Sequence, residues 1–154
     1  MKVKEVLTVK GNTLYTVSPQ TPLSEGVVIM ADHDIGSLVV MDKGALAGML
    51  TFREVIRILA KRQAEDRSGP TPPVAEFTIG EIMNTDPFVV SPDMEVDDLR
   101  AAMIENRQRY LPVMDESTLM GVISFHDVAR AVLSEQDFEN KMLKAYIRDW
   151  PAEG

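Results

Sequence analysis

Two short segments carry the residue types suited to recognition chemistry: Thr51-x-x-Glu54 and Ser124-x-x-Asp127. Each is a hydroxyl followed three residues later by an acid, just ahead of an apolar run with helical spacing. One reading is a capping box, in which hydroxyl and carboxylate satisfy the free backbone N–H groups of a helix start. The other is a binding site. A helix N-terminus offers N–H donors and a favourable dipole to an anion, and a carboxylate accepts two hydrogen bonds from a vicinal diol. Arg53 and His126 lie inside these segments, either as anion contacts or as exposed polar residues. Bond-breaking chemistry is not expected. The chain has no cysteine and no G-x-S-x-G, P-loop or G-x-G-x-x-G motif. His33 and His126 are its only histidines and lack metal-ligand spacing. With no nucleophile–base constellation, the chain does not read as an enzyme.

The two segments occupy equivalent places in an internal repeat. Pro19 and Pro92 lie 73 residues apart, and this offset holds without a gap from Val17-Ser18-Pro19 to Arg57. Leu38, Val40, Met41 and Asp42 recur as Leu111, Val113, Met114 and Asp115; Phe52 and Val55 recur as Phe125 and Val128. The lead-in Val3–Leu7 matches Ile79–Met83 at an offset of 76, so the first copy carries three extra residues around Val9–Asn12. Each copy reads as β-α-β-β-α. Strands are expected at Tyr15–Val17 and Phe88–Val90. A helix follows, opened by Thr21-Pro22 with Thr as cap. Leu23, Val27 and Met30 lie along it, and Val96, Leu99 and Met103 along its counterpart. A hairpin comes next, turning at Asp42-Lys43-Gly44. The last helix has Phe52, Val55, Ile56 and Leu59 on one face, matched by Phe125, Val128, Ala129 and Val132. One such unit buries its sheet poorly alone, so the two are expected to pack together.

The expected divisions are 1–63 for the first repeat, 64–76 for a Pro-rich linker, 77–133 for the second repeat, and 134–154 for a C-terminal helix and tail. Phe138, Met142, Tyr146 and Trp150 recur at four-residue steps in that helix. The stripe either packs back on its own module or contacts a second subunit. Composition narrows the partners. Among 154 residues the hydrophobic share is 45% and the formal net charge −8, which suits a globular domain and disfavours nucleic acid as a partner. No run approaches the roughly 18 apolar residues of a membrane span, and none reads as a signal peptide. A cytoplasmic protein with no membrane partner is expected.

The chain resembles a CBS domain pair, or Bateman module. The residues that carry the resemblance are Ile35–Asp42 with Gly48–Val55, and Arg109–Asp115 with Gly121–Val128. The resemblance implies an α/β (α+β) fold of tandem β-α-β-β-α repeats related by a pseudo-twofold axis, with ligand clefts between them. It also implies a regulatory role: sensing AMP, ADP or ATP, or another adenosyl compound such as S-adenosylmethionine, or NAD(H), with no cofactor required. Family members commonly form disc-like dimers, so a homodimer acting on a separate, unknown partner protein is implied. The alternative is a structural CBS pair that dimerises and binds nothing.

In proteins of this kind the hydroxyl contacts phosphate and the acid holds the ribose. By resemblance, the nucleotide cleft gathers Thr21, Gly26, Arg109, Tyr110, Ile123, Ser124, His126 and Asp127. Arg109 would pair with phosphate or else remain a solvated surface charge. Gly26 would allow close ligand approach, and Ile123 would face adenine. A second, weaker cleft would hold Gly36, Ser37, Thr51, Arg53 and Glu54, with Met94 and Leu99 on its other side. Glu54 departs from the family's aspartate by one methylene.

Overall fold

Short continuous apolar runs and tight turns build one β-hairpin per repeat, and helices cover each hairpin. The computed structural model describes residues 1–10, 14–65 and 73–148. In chain order the elements are α1 (Val3–Lys10), β1 (Thr16–Val17), α2 (Leu23–Asp32), β2 (Ser37–Asp42), β3 (Ala45–Thr51) and α3 (Phe52–Glu65). A 3-10 turn (Val74–Glu76) leads to α4 (Ile79–Ile82), α5 (Val96–Asn106), β4 (Tyr110–Asp115), β5 (Thr118–Ser124) and α6 (Phe125–Arg148). The β2–β3 and β4–β5 ladders share one register, down to a shift between Val40 and Met41 that recurs between Val113 and Met114. Lys43 and Gly44 both take positive φ, as a two-residue hairpin turn requires. The two repeats thus share one topology, as the 73-residue offset implies.

The first strand is shorter than expected in the second repeat. β1 pairs in parallel with β2, and Val39 N–H donates to the Tyr15 carbonyl at 3.4 Å. The residue equivalent to Val39 is Pro112, which has no N–H to give Phe88. Only a single bridge, Val90 with Val113, survives there.

The lead-ins cross over. Val3 and Val6 of α1 sit in the core of the second repeat with Leu99, Leu111 and Ile123. Ile79 of α4 sits in the core of the first, with Leu23, Leu38 and Leu50. The backbone repeats the exchange: Lys4 N–H donates to the Pro92 carbonyl at 2.9 Å, and Gly80 N–H to that of Pro19 at 2.8 Å. Each repeat therefore completes its core with the other's first helix.

Several helix expectations change. Thr21 does not cap α2. Its hydroxyl lies 3.1 Å from both the Ser18 amide and the Ser18 hydroxyl, and Pro22 holds the cap position. Gly26, not Val27, is on the buried face of α2, and a Cβ there would stand 2.8 Å from Ile79 Cδ1. Gly26 thus serves helix packing. Gly26→Leu is expected to overpack this contact and destabilise the fold by about 1–3 kcal/mol, measurable by urea denaturation. On α3 the inward face is Glu54, Ile58 and Arg62, while Phe52, Ile56 and Leu59 are exposed. The expected separate C-terminal helix does not exist as such, because α6 runs unbroken for 24 residues. Phe138, Met142 and Tyr146 on it stay exposed, so they do not pack back on the module. Trp150 and residues 66–72 of the linker lie outside the described residues.

Candidate functional site

A cavity of about 690 Å³ opens beside the start of α6. Three regions wall it: α1 with Leu7, Thr8 and Lys10; the segment from His33 to Ser37 after α2; and the β4–β5 hairpin with Tyr110, Val122 and Ser124, continued by His126 and Asp127 of α6. Ser124 and Asp127 form a reciprocal capping box. Ser124 N–H donates to Asp127 Oδ2 at 2.9 Å, and Asp127 N–H donates to Ser124 Oγ at 3.0 Å. The capping reading is therefore realised, and it fixes both side chains on the cavity wall.

Asp127 also accepts a charge. Lys10 Nζ lies 2.8 Å from Asp127 Oδ2 and 2.8 Å from the Val122 carbonyl. Burial pushes the Asp127 carboxyl up, but the Lys10 ammonium and the Ser124 hydrogen bonds outweigh burial and hold it below the ordinary aspartate value. The carboxylate, only 13% exposed, stays ionised. Val122 lies opposite Pro112, whose carbonyl turns away to accept from Val90 N–H. The backbone of Val122 thus faces the cavity from the free edge of β5. Tyr15 and His33 stack across the opposite wall with ring centroids 4.1 Å apart. Tyr110 lies over Gly36 so closely that a Cβ there would stand within van der Waals contact of its ring and hydroxyl.

A second cavity of about 620 Å³ is its pseudo-twofold mate, lined by Arg53, Glu54, Arg57, Lys61, Asn84, Asp86 and Gln108 among others. Glu54 there is 8% exposed and accepts the Thr51 N–H at 3.1 Å and the Thr51 hydroxyl at 3.0 Å. Arg53 donates to the Arg107 carbonyl. Here the strand edge is closed: Met49 exchanges two backbone hydrogen bonds with Asn84, at 2.9 and 3.0 Å. The lead-in supplies no cation here: its lining residues are Glu81, Ile82, Met83, Asn84 and Asp86.

The structure divides the expected residues differently from the sequence reading. Tyr110, Ser124, His126 and Asp127 meet in the first cavity, and Gly36 and Ser37, expected in the other cleft, join them. Thr51, Arg53 and Glu54 remain together: Arg53 and Glu54 line the second cavity, and Thr51 caps α3 beside them. The other expected residues lie elsewhere. Ile123 is fully buried in the second core, Gly26 packs on Ile79, and Thr21 bonds to Ser18. Arg109 is exposed and lines neither cavity; its carbonyl accepts from Phe125 N–H at 2.8 Å. Met94 packs against the second core and Leu99 lies within it. Lys10, Tyr15 and His33 were not anticipated. For Lys10 no offset mate gave a signal, because it lies among the extra residues of the first copy. Among the described residues, no group of three or more acids and histidines is placed to hold a metal. No described helix is long and apolar enough to cross a membrane.

Comparison with known proteins agrees with this architecture. A family profile, CBS domain, matches residues 3–61 and 79–134. The CBS domain-containing protein YhcV of Bacillus subtilis (strain 168) is 31% identical over 134 residues, which cover 87% of each chain. The crystal structure of CBSX2 in complex with AMP superposes with a TM-score of 0.71 at 23% identity, covering 88% of this chain and 98% of that one. The CBS domain pair of protein MJ0100, in complex with 5'-methylthioadenosine and S-adenosyl-L-methionine, gives a TM-score of 0.72 at 23% identity over the same shares. At that identity both show the fold alone.

Proposed function

The chain belongs to the CBS-domain family, and on that premise we propose that it is a non-catalytic, cytoplasmic regulatory module that binds AMP, ADP or ATP in the 690 Å³ cavity beside Asp127. The observation that carries the reading is the convergence there of an ionised carboxylate, a hydroxyl and an open strand edge. The volume suits a small-molecule site. Asp127 takes the ribose hydroxyls, Ser124 and the start of α6 take phosphate, and the Val122 edge with Leu7 and Ile35 takes the base. Related CBS structures that hold AMP or S-adenosylmethionine support the ligand class. A calorimetric panel of AMP, ATP, S-adenosylmethionine and NADH tests it. Binding of AMP or ATP in the micromolar range is expected. A flat response to all four at millimolar concentration refutes it.

A second reading, a structural pair that dimerises without ligand, has its own observation. Phe52, Ile56 and Leu59 on α3 and Phe125 and Leu133 on α6 form two related exposed apolar faces. The nucleotide reading uses the same faces, because it also takes the module as a homodimer. Light scattering is expected to report a dimer at micromolar concentration, and Phe52→Asp with Ile56→Asp a monomer. A wild-type monomer at high concentration removes the dimer from both readings.

A further inference from the structure

We propose that Lys10 selects the charge of the ligand: it makes the first cavity a site for nucleoside phosphates and disfavours neutral or cationic adenosyl compounds. The inference rests on the nucleotide reading of that cavity. Without ligand, one ammonium satisfies the two acceptors that a nucleoside would use, Asp127 Oδ2 and the Val122 carbonyl, each at 2.8 Å. A ribose on Asp127 and a base on the Val122 edge displace it from both. Lys10 then holds a cation on a side chain only 33% exposed, with its partners taken. Asp34, the other carboxylate of the lining, is exposed to solvent. Neutral ribose hydroxyls leave the Asp127 charge in place but draw Lys10 out of contact with it; a partly buried ammonium without direct partners is unfavourable, and the 5'-phosphate of the ligand itself supplies a new one. Adenosine supplies none, and S-adenosylmethionine puts a like-charged sulfonium at the 5' position, with its carboxylate further out.

The other lead-in supports a selective role. The second cavity draws Glu81 and Asp86 but no cation from its lead-in, its strand edge is already closed by Asn84, and its acid is Glu54. Of charged groups, the lead-in thus brings a cation to the first cavity and only acids to the second.

The test compares AMP, adenosine and S-adenosylmethionine by calorimetry on the wild type, Lys10→Met and Lys10→Arg. Methionine keeps most of the stem and removes the charge. The wild type is expected to prefer AMP over adenosine by about tenfold to a hundredfold, the worth of a charge-assisted contact. Lys10→Met should weaken AMP by a similar factor while adenosine binds as well or better, so the preference collapses. Lys10→Arg should restore it. If Lys10→Met weakens AMP and adenosine equally, or neither, the inference is overturned and the site reading survives. If the wild type binds no adenosyl compound at all, the site reading itself fails, and this inference with it.

Discussion

Asp127→Ala is expected to weaken AMP binding about tenfold to a hundredfold, the loss typical of a hydrogen bond to a charged group. The carboxylate is ionised, held on the wall by Ser124 N–H, and faces the cavity. No neighbouring side chain duplicates its two acceptor oxygens on that stretch of α6. Asp127→Asn separates binding from folding, because an amide oxygen still accepts from Ser124 N–H but carries no charge. It should keep the melting temperature near that of the wild type and still lose affinity. Glu54→Ala in the second cavity should leave AMP affinity little changed. The reverse result, with Glu54→Ala abolishing binding and Asp127→Ala not, would move the site to the second cavity.

The second large effect is one of stability and probes the asymmetry between the clefts. Gly48 and Gly121 are equivalent in sequence and register. A Cβ on Gly48 would stand within 2.4 Å of the Asn84 backbone carbonyl, because the Met49–Asn84 bridge draws that backbone against β3. A Cβ on Gly121 would meet nothing nearer than Leu7 Cδ2, at 3.3 Å. Backbone cannot swing aside as a leucine methyl can. Gly48→Ala is therefore expected to cost about 1–3 kcal/mol, lowering Tm by roughly 2–4 °C for each kcal/mol in a chain of this size. Gly121→Ala should be near neutral. Equal effects in thermal melts would mean that the edge at Val122 is as closed as the edge at Met49.

Most of the fold was legible because it rests on periodicity and on a repeat that checks itself. The hairpins, their turns and the helices α2, α3 and α5 follow from local apolar spacing. What failed depended on packing between distant segments. Gly26 reads as a ligand-facing gap until Ile79 of the other repeat is seen to fill it. Phe52, Ile56 and Leu59 read as a core face because apolar spacing cannot say which side of a helix the core takes. The shortened second strand was readable in principle from Pro112 standing where Val39 donates a hydrogen bond.

The site was legible in its chemistry and not in its grouping. Ser124, Asp127, Tyr110 and His126 come from one repeat and stay together. Their neighbours are set by the crossing of the lead-ins, which brings α1 across to the second repeat and with it Lys10. No spacing rule within a repeat carries that information. The pairing of the two repeats likewise puts Gly36 and Ser37 in the cavity of Asp127, and Gln108 in that of Glu54.

The most direct test of nucleotide binding beside Asp127 is an NMR titration of the amide resonances with AMP. Saturable shifts centred on Gly36, Ser37, Val122, Ser124 and Asp127 are expected, with Thr51 and Glu54 little moved. Shifts centred on Thr51, Glu54 and Asn84, or none at millimolar AMP, would contradict it.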